Sequence, residues 1–422
     1  MPMIIQSIKA RQVLDSRGNP TVEAEVLVNK QWFRAIVPSG ASTGKHEAVE
    51  LRDNSQAYNG KSVQKAVKNV NSIISKKLLG LKVTDQKSID NAMCKLDSTN
   101  NKSKLGANAT LAVSLACARA AASTENMHLF QYIGKLSNTK PSLLPVPQMN
   151  VINGGVHAGQ KNDVQEHMFM PVGAKSFEQA LQMGAECYHS LKSMLKNKFG
   201  SQGILIGDEG GFVPPIKTVQ ERLELMENAV EEAGYKMKKD IVFALDTAAS
   251  EFYEKKQYTV GNNVYDSERL AWFYQNLCGQ FPICSIEDGF AEDDWKGWQN
   301  FTKLIGKKIQ IVGDDLLVTN PLRIKKAIKN KSCNALLLKV NQIGTLTEAL
   351  DAASLAKKNK WNVVVSHRSG ETEDSFIADL VVGINSGQSK FGAPARSDRV
   401  AKYNQLLRIE EALGKKARYG LK

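Results

Sequence analysis

Five largely apolar runs in the second half of the chain each end at a charged residue: IVFAL at Asp246, ICSI at Glu287, IQIVG at Asp314, ALLL at Lys339 and VVVS at His367-Arg368. Short apolar runs bounded in this way read as strands buried on both faces. The marked residues are 41, 27, 25 and 28 positions apart. A (β/α)8 barrel allots about 30 residues to each strand–helix unit and carries its chemistry at the C-terminal strand ends. The pattern therefore predicts a barrel with three carboxylates, a lysine and a His-Arg pair converging on one mouth.

At 422 residues the chain has room for that barrel and a smaller domain. In TVEAEVLV (21–28), Val22, Ala24, Val26 and Val28 share one face, the period-2 pattern of a half-exposed strand. The segment from Trp32 to Val37 follows as its hairpin partner. An apolar stripe from Val63 to Leu78 then predicts a helix stopped by Gly80, and an Ala-rich helix follows from Asn108 to Ala122. Strands followed by helices predict an α+β domain over 1–136. The three prolines in KPSLLPVP mark a linker over 137–147, and the barrel occupies 148–422. Ser176–Gln179 and Thr218–Glu221 are capping boxes that open two barrel helices, and Gly234 closes the second.

The net charge of +13 raises a nucleic-acid reading. The lysines are dispersed, with no zinc-finger spacing or aromatic RNA-reading motif, so a solvated basic surface is expected, one that would attract an anionic metabolite. No apolar stretch approaches the roughly 18 residues of a membrane span, and the first residues lack a signal-peptide core. Six scattered cysteines without a CxxC pair fit reduced thiols. A cytoplasmic protein is expected.

Asp246, Glu287 and Asp314 are hard oxygen donors on separate strand ends, the chemistry that magnesium takes. Without a cation, three converging carboxylates would repel one another. The alternative for each is a salt bridge to a helix residue. Lys339 either serves as a base, its pKa lowered by a bound cation and Lys390, or pairs with one of the carboxylates. Arg368 offers a planar fork for phosphate or carboxylate, with the Ser369 hydroxyl beside it, in a segment that also makes a good helix start. Glu166, next to Gln165, and Glu209, placed after a short ILIG strand, are candidate acids near the mouth. His157 lies in the glycine-bounded loop NGGVHA. SGASTG, which contains Ser42, reads on its own as a surface turn and lacks the ending of a Walker loop.

Read together, SGASTG, NGGVHA, GDEGG, LDTAASEFY, SIEDG, GDDL, LLLKVNQIGTLTE, SHRSGETED and AKYNQLLRIEEALG resemble the enolase family, in the family's order and over almost the whole chain. The resemblance implies an α/β fold in which an N-terminal α+β domain precedes a modified TIM-type barrel, ββαα(βα)6. It implies a lyase of glycolysis, phosphopyruvate hydratase (EC 4.2.1.11), which reversibly dehydrates 2-phospho-D-glycerate to phosphoenolpyruvate with two Mg²⁺ per site. By the same resemblance Asp246, Glu287 and Asp314 match the first metal's ligands, and Ser42 matches a lid position that completes the second. Lys339 matches the base at C2. Glu209 matches the acid for the C3 hydroxyl, with Glu166 beside it and His367 nearby. His157, Gln165, Arg368, Ser369 and Lys390 match substrate contacts, Arg368 and Ser369 those to the phosphate.

The family also suggests a homodimer or octamer. It suggests a second reading, display at the cell surface or secretion without a signal peptide and binding of plasminogen through lysines such as Lys422. A third reading keeps the barrel but takes another carboxylate substrate of the superfamily, which SHRSG and GDEGG argue against. His167 departs from the family, which usually has Phe there. The residues flanking Lys390 and the FVPPI segment also depart. None of these changes removes a proposed catalytic group.

Overall fold

The computed structural model describes residues 3–40 and 44–421. Three antiparallel strands open the chain: β1 (Ser7–Leu14), β2 (Pro20–Val28) and β3 (Gln31–Ile36), with β2 in the middle. The alternation in β2 predicts one exposed face, yet both faces are buried. Its apolar face packs under the helix Ala107–Thr124. On the other face, Glu23 and Glu25 are covered by Arg11 of β1, which donates to Glu25 Oε2 at 2.5 Å. The stripe from Val63 to Leu78 forms a helix whose middle turn, Val70–Ile74, is widened to π geometry.

The second sheet contains β4 (Val146–Pro147), β5 (Met149–Asn153), β6 (Glu166–Met170), β7 (Val242–Asp246), β8 (Ile283–Glu287), β9 (Gln310–Gly313), β10 (Ala335–Leu338), β11 (Asn362–Ser366) and β12 (Gly387–Lys390). Neighbours run in the order β4-β12-β11-β10-β9-β8-β7-β6-β5. Only Gln148 separates β4 from β5, so the two act as one interrupted strand that closes an eight-staved barrel. β6 is antiparallel to both β5 and β7, and the other pairs are parallel. Helices Phe177–Phe199 and Val219–Glu232 follow the opening hairpin, and strand–helix units continue from there, giving the ββαα(βα)6 order. Ser176 and Thr218 cap these two helices by accepting from Gln179 N and Glu221 N. Leu143–Leu144, just ahead of β4, is itself a strand and pairs with Arg418–Tyr419.

The helix Ala107–Thr124 is buried along nearly its whole length because it lies between the small sheet and the barrel. It is pinned to the barrel by polar contacts. Thr110 Oγ1 donates to Gly344 O at 2.8 Å, and Ser114 Oγ accepts from Leu346 N at 3.0 Å. The buried Asp90 carboxylate accepts from both Thr347 N and Thr347 Oγ1. No described helix is long and apolar enough to cross a membrane.

Candidate active site

Six parallel strands deliver charge to one end of the barrel. β7 and β8 end on Asp246 and Glu287, which face each other in register, and β12 ends on Lys390. Asp314 and Lys339 stand one residue past β9 and β10. His367 and Arg368 follow β11 directly. Because β6 runs backwards, its first residue, Glu166, lies at the same end, in register with Asp246. One small cavity is lined by His157, Gln165, Glu166, Glu209, Asp246, Asp314, Lys339, His367, Arg368, Ser369 and Lys390. Glu287 lies just beneath, bonded to Lys390. A larger cavity of about 450 Å³ at the other end of the barrel is lined by no Asp or Glu.

The Lys390 ammonium is the hub. Nζ donates to Asp246 Oδ2 at 2.7 Å and Glu287 Oε1 at 2.9 Å, and lies 3.2 Å from Glu166 Oε2. Burial favours the neutral amine, but Asp246, Glu166 and Glu287 outweigh it and hold Lys390 well above the usual lysine range. Glu287 is pushed well above the carboxylate range by burial and by Asp246.

Asp314 is held apart from that pair. It is bonded to Lys339, and its Oδ1 accepts from Gln342 Nε2 at 2.8 Å. Burial opposes the Asp314 charge, but Lys339 wins and the pKa falls. Lys339 is lowered by burial and raised more by Asp314, so its net shift is upward. Lys339 thus takes the alternative partner read from the sequence, a carboxylate that stabilises its ammonium, while Arg368 and Lys390 pull the pKa the other way.

Glu166 and Glu209 form a close pair of carboxyls. Burial and the charge of Glu209 push Glu166 well above the usual range. For Glu209 burial is outweighed by the contact with His367 and by the charge of Arg399, which hold its pKa well below that range. Opposite shifts on neighbouring carboxyls favour a proton on Glu166 over one on Glu209. Asn150 Nδ2 donates to Glu209 Oε2 at 3.1 Å, and His157 Nδ1 stands 3.5 Å from Glu166 Oε1. Arg368 turns its fork on a carboxylate of the chain itself: Nη1 and Nη2 donate to Glu47 Oε2 and Oε1 at 2.9 and 3.1 Å. Ser369 lines the cavity beside it.

One further reading is modified. ILIG is not a barrel strand; Leu205 and Ile206 are exposed, and Ile206 makes only an isolated bridge with Phe212. Glu209 is placed instead by the turn Gly207–Gly211, closed by the bond from Gly207 N to Gly211 O. His167 follows Glu166 on a strand and so points to the opposite face. It is fully buried and held neutral by burial and by Arg222, with Nδ1 3.3 Å from Ile152 O. Ser42 and Lys422 lie outside the described residues.

Some residues of the site escaped the sequence reading. Asp288 accepts from Asp314 N and Asp315 N at 2.8 and 2.9 Å. The ligating atoms of Asp288, Asp314 and Asp315 lie within 4.8 Å of one another, as do those of His157, Glu166 and Glu209. Asp246 and Glu287 gather on Lys390 instead. Asp288 and Asp315 adjoin residues singled out from the sequence, and adjacency was their only signal. Glu47 lies in GKHEAVE, three positions past the SGASTG loop, and Arg399 lies in a helix with no local mark.

The N-terminal part, residues 5–133, matches the family model described as "Enolase, N-terminal domain". Residues 141–422 match "Enolase, C-terminal TIM barrel domain". The enolase of Thermococcus gammatolerans is 57% identical over 414 residues, spanning 98% of this chain and 96% of the relative. That of Thermococcus kodakarensis is 56% identical over the same shares. That of Solanum lycopersicum is 54% identical over 98% of this chain and 97% of its own. The chain belongs to the enolase family, whose members are phosphopyruvate hydratases of the lyase class.

Proposed function

We propose that this chain interconverts 2-phospho-D-glycerate and phosphoenolpyruvate, with Lys339 as the base at C2 and the Glu166–Glu209 pair as the acid at C3. The observation that carries this reading is positional. Lys339 follows β10 and Glu166 begins β6, four staves apart on a ring of eight, so base and acid face each other across the cavity. A substrate between them would lose its proton from one side and its hydroxyl from the other. Separate groups in opposite protonation states suit such an elimination.

The donor set fits divalent magnesium, because Asp246, Glu287 and Asp314 are buried hard-oxygen ligands and two of them already hold a cation, the Lys390 ammonium. Magnesium held by these three, with Ser42 assigned to a second ion, would stabilise the negative charge that builds on the substrate carboxylate.

The other roles belong to side chains. Arg368 exchanges Glu47 for the substrate phosphate, with Ser369 adding a hydroxyl. His157 and Gln165 bound the substrate from the loop before β6. Lys390 orients its carboxylate. Lys339 takes the C2 proton once it is free of Asp314. The Glu166–Glu209 pair gives a proton to the C3 oxygen, which leaves as water. His367 lies against Glu209 and orients it.

The test follows phosphoenolpyruvate absorbance from 2-phosphoglycerate, with magnesium and with a chelator. Turnover with the metal and none without it is expected. No turnover with the metal, or full turnover under chelation, sinks the reading. The same reading makes the enzyme cytoplasmic and a homodimer or octamer, which sedimentation of the purified protein checks.

A further inference from the structure

Arg399, on the helix Ser397–Leu413, is wholly buried behind the site. Its Nη1 donates to Arg368 O at 2.5 Å and lies 2.6 Å from His367 Nδ1. Its Nη2 donates to Ser369 O at 2.5 Å and Asp208 O at 3.2 Å, and Nε pairs with Asp398 Oδ2 at 2.8 Å. A guanidinium has donors only. His367 Nδ1 must therefore accept, since a proton there would meet an N–H head-on at 2.6 Å.

The ring is neutral. Burial, reinforced by Arg399 and Lys390 and opposed by Glu209, pushes His367 down to about 3. A neutral imidazole carries one proton, and with Nδ1 accepting, it sits on Nε2. Nε2 lies 3.3 Å from Glu209 Oε2 and has no hydrogen-bond partner of standard geometry among the described residues. A glycine makes this crowding feasible. At Gly392, with φ +84°, an added Cβ would stand 2.8 Å from Glu209 O, 2.9 Å from Arg399 Cδ and 3.1 Å from His367 Cε1.

We propose that Arg399 is a positioning residue: it fixes the Nε2–H tautomer of His367, so that the ring presents a proton and not a lone pair to the side facing Glu209. The opposite tautomer would present a lone pair to the Glu209 carboxylate and push it from its place. Arg399 touches no reacting atom; it acts through His367. The proposal rests on the reading of Glu209 as part of the C3 acid.

The experiment is ¹⁵N NMR of the full chain labelled at histidine. The chain has six histidines, and a His367→Gln variant identifies the resonance. Wild type at neutral pH is expected to show His367 neutral and protonated on Nε2. Arg399→Met is expected to mix the tautomers and lower kcat by roughly 100-fold, the scale of a misplaced catalytic group, with KM little changed. Arg399→Lys keeps a donor and should restore the tautomer and part of kcat.

A wild-type His367 protonated on Nδ1, or doubly protonated, overturns the proposal even if Arg399→Met fails to fold. So does a folded Arg399→Met variant that keeps a pure Nε2–H ring. Wild-type protein that shows the expected tautomer but no turnover supports the positioning and sinks the proposed reaction instead.

Discussion

Replacing Arg222 with methionine should destabilise the protein by about 3–5 kcal/mol, the cost of stranding one member of a buried ion pair. The Arg222 side chain is wholly buried on the helix Val219–Glu232, and its partner Asp163 is 8% exposed. Nη2 also donates to Ile216 O at 2.8 Å and reaches Gln160 Oε1 at 3.5 Å. One guanidinium thus ties together the loop that carries His157 and Gln165 and the segment just after Glu209. Asp163→Asn strands the arginine and should cost a similar amount. The double variant Asp163→Asn/Arg222→Met leaves no buried charge, and the amide oxygen of the new side chain can still accept from Val164 N, as Asp163 Oδ1 does at 2.8 Å. Its cost should shrink to about 1–2 kcal/mol, the loss of hydrogen bonds to Ile216 and Gln160. Urea unfolding followed by tryptophan fluorescence measures all four proteins in one cycle. Costs that simply add would refute the reasoning, because the two residues would then not share one interaction. In both single variants KM for 2-phosphoglycerate should rise more than kcat falls, since the loosened loop bounds the substrate.

Three other outcomes are expected. Lys339→Ala should lose turnover by several orders of magnitude while circular dichroism and the unfolding midpoint stay near wild type; wild-type-like turnover rejects its role as base. Gly392→Ala should lose both stability and kcat, because the backbone is left-handed there and the new methyl would meet Glu209 O and Arg399; unchanged values would show that the turn yields easily. Asp379 is buried and pushed up to about 6, chiefly by that burial, against the pull of Arg119. A raised carboxyl binds its proton more tightly folded than unfolded, so its contribution to stability falls as pH rises from about 4 to about 6 and is flat beyond, by roughly 3 kcal/mol in all. Asp379→Asn should remove that slope, and parallel curves for variant and wild type across the window would refute the assignment.

The barrel was legible because a strand covered on both faces must be apolar throughout, which makes the polar residue at its end conspicuous. Asp246, Glu287, Asp314, Lys339 and His367-Arg368 all carry that signature. The direction of β6 was not legible from pattern, since alternation and burial are the same in either direction; the family likeness supplied it. The exposed face expected for β2 failed because Glu23 and Glu25 look like solvent-facing residues, while their burial comes from Arg11 on another strand. The upward shift of Lys339 could not be read either, because it depends on which oxygen the ammonium touches. Arg399 lay beyond reach for a similar reason: it is one arginine in a basic helix, and only the turn of that helix against the β11 loop gives it meaning.

The backward run of β6 has a consequence for how this site tolerates change. In a parallel unit the residue at the mouth is followed by a loop and a helix. Here Glu166 is preceded by its loop, and the pairing Asn153↔Glu166 closes the loop at its base like a buckle. Residues can be added or lost between Gly154 and Gln165 without sliding Glu166 along its strand, because the ladder on both sides of β6 sets its register. The loop can therefore drift in length and sequence while the Glu166 carboxyl stays fixed. Enolases that differ in this segment should keep Glu166 in place and differ in how the loop covers the cavity.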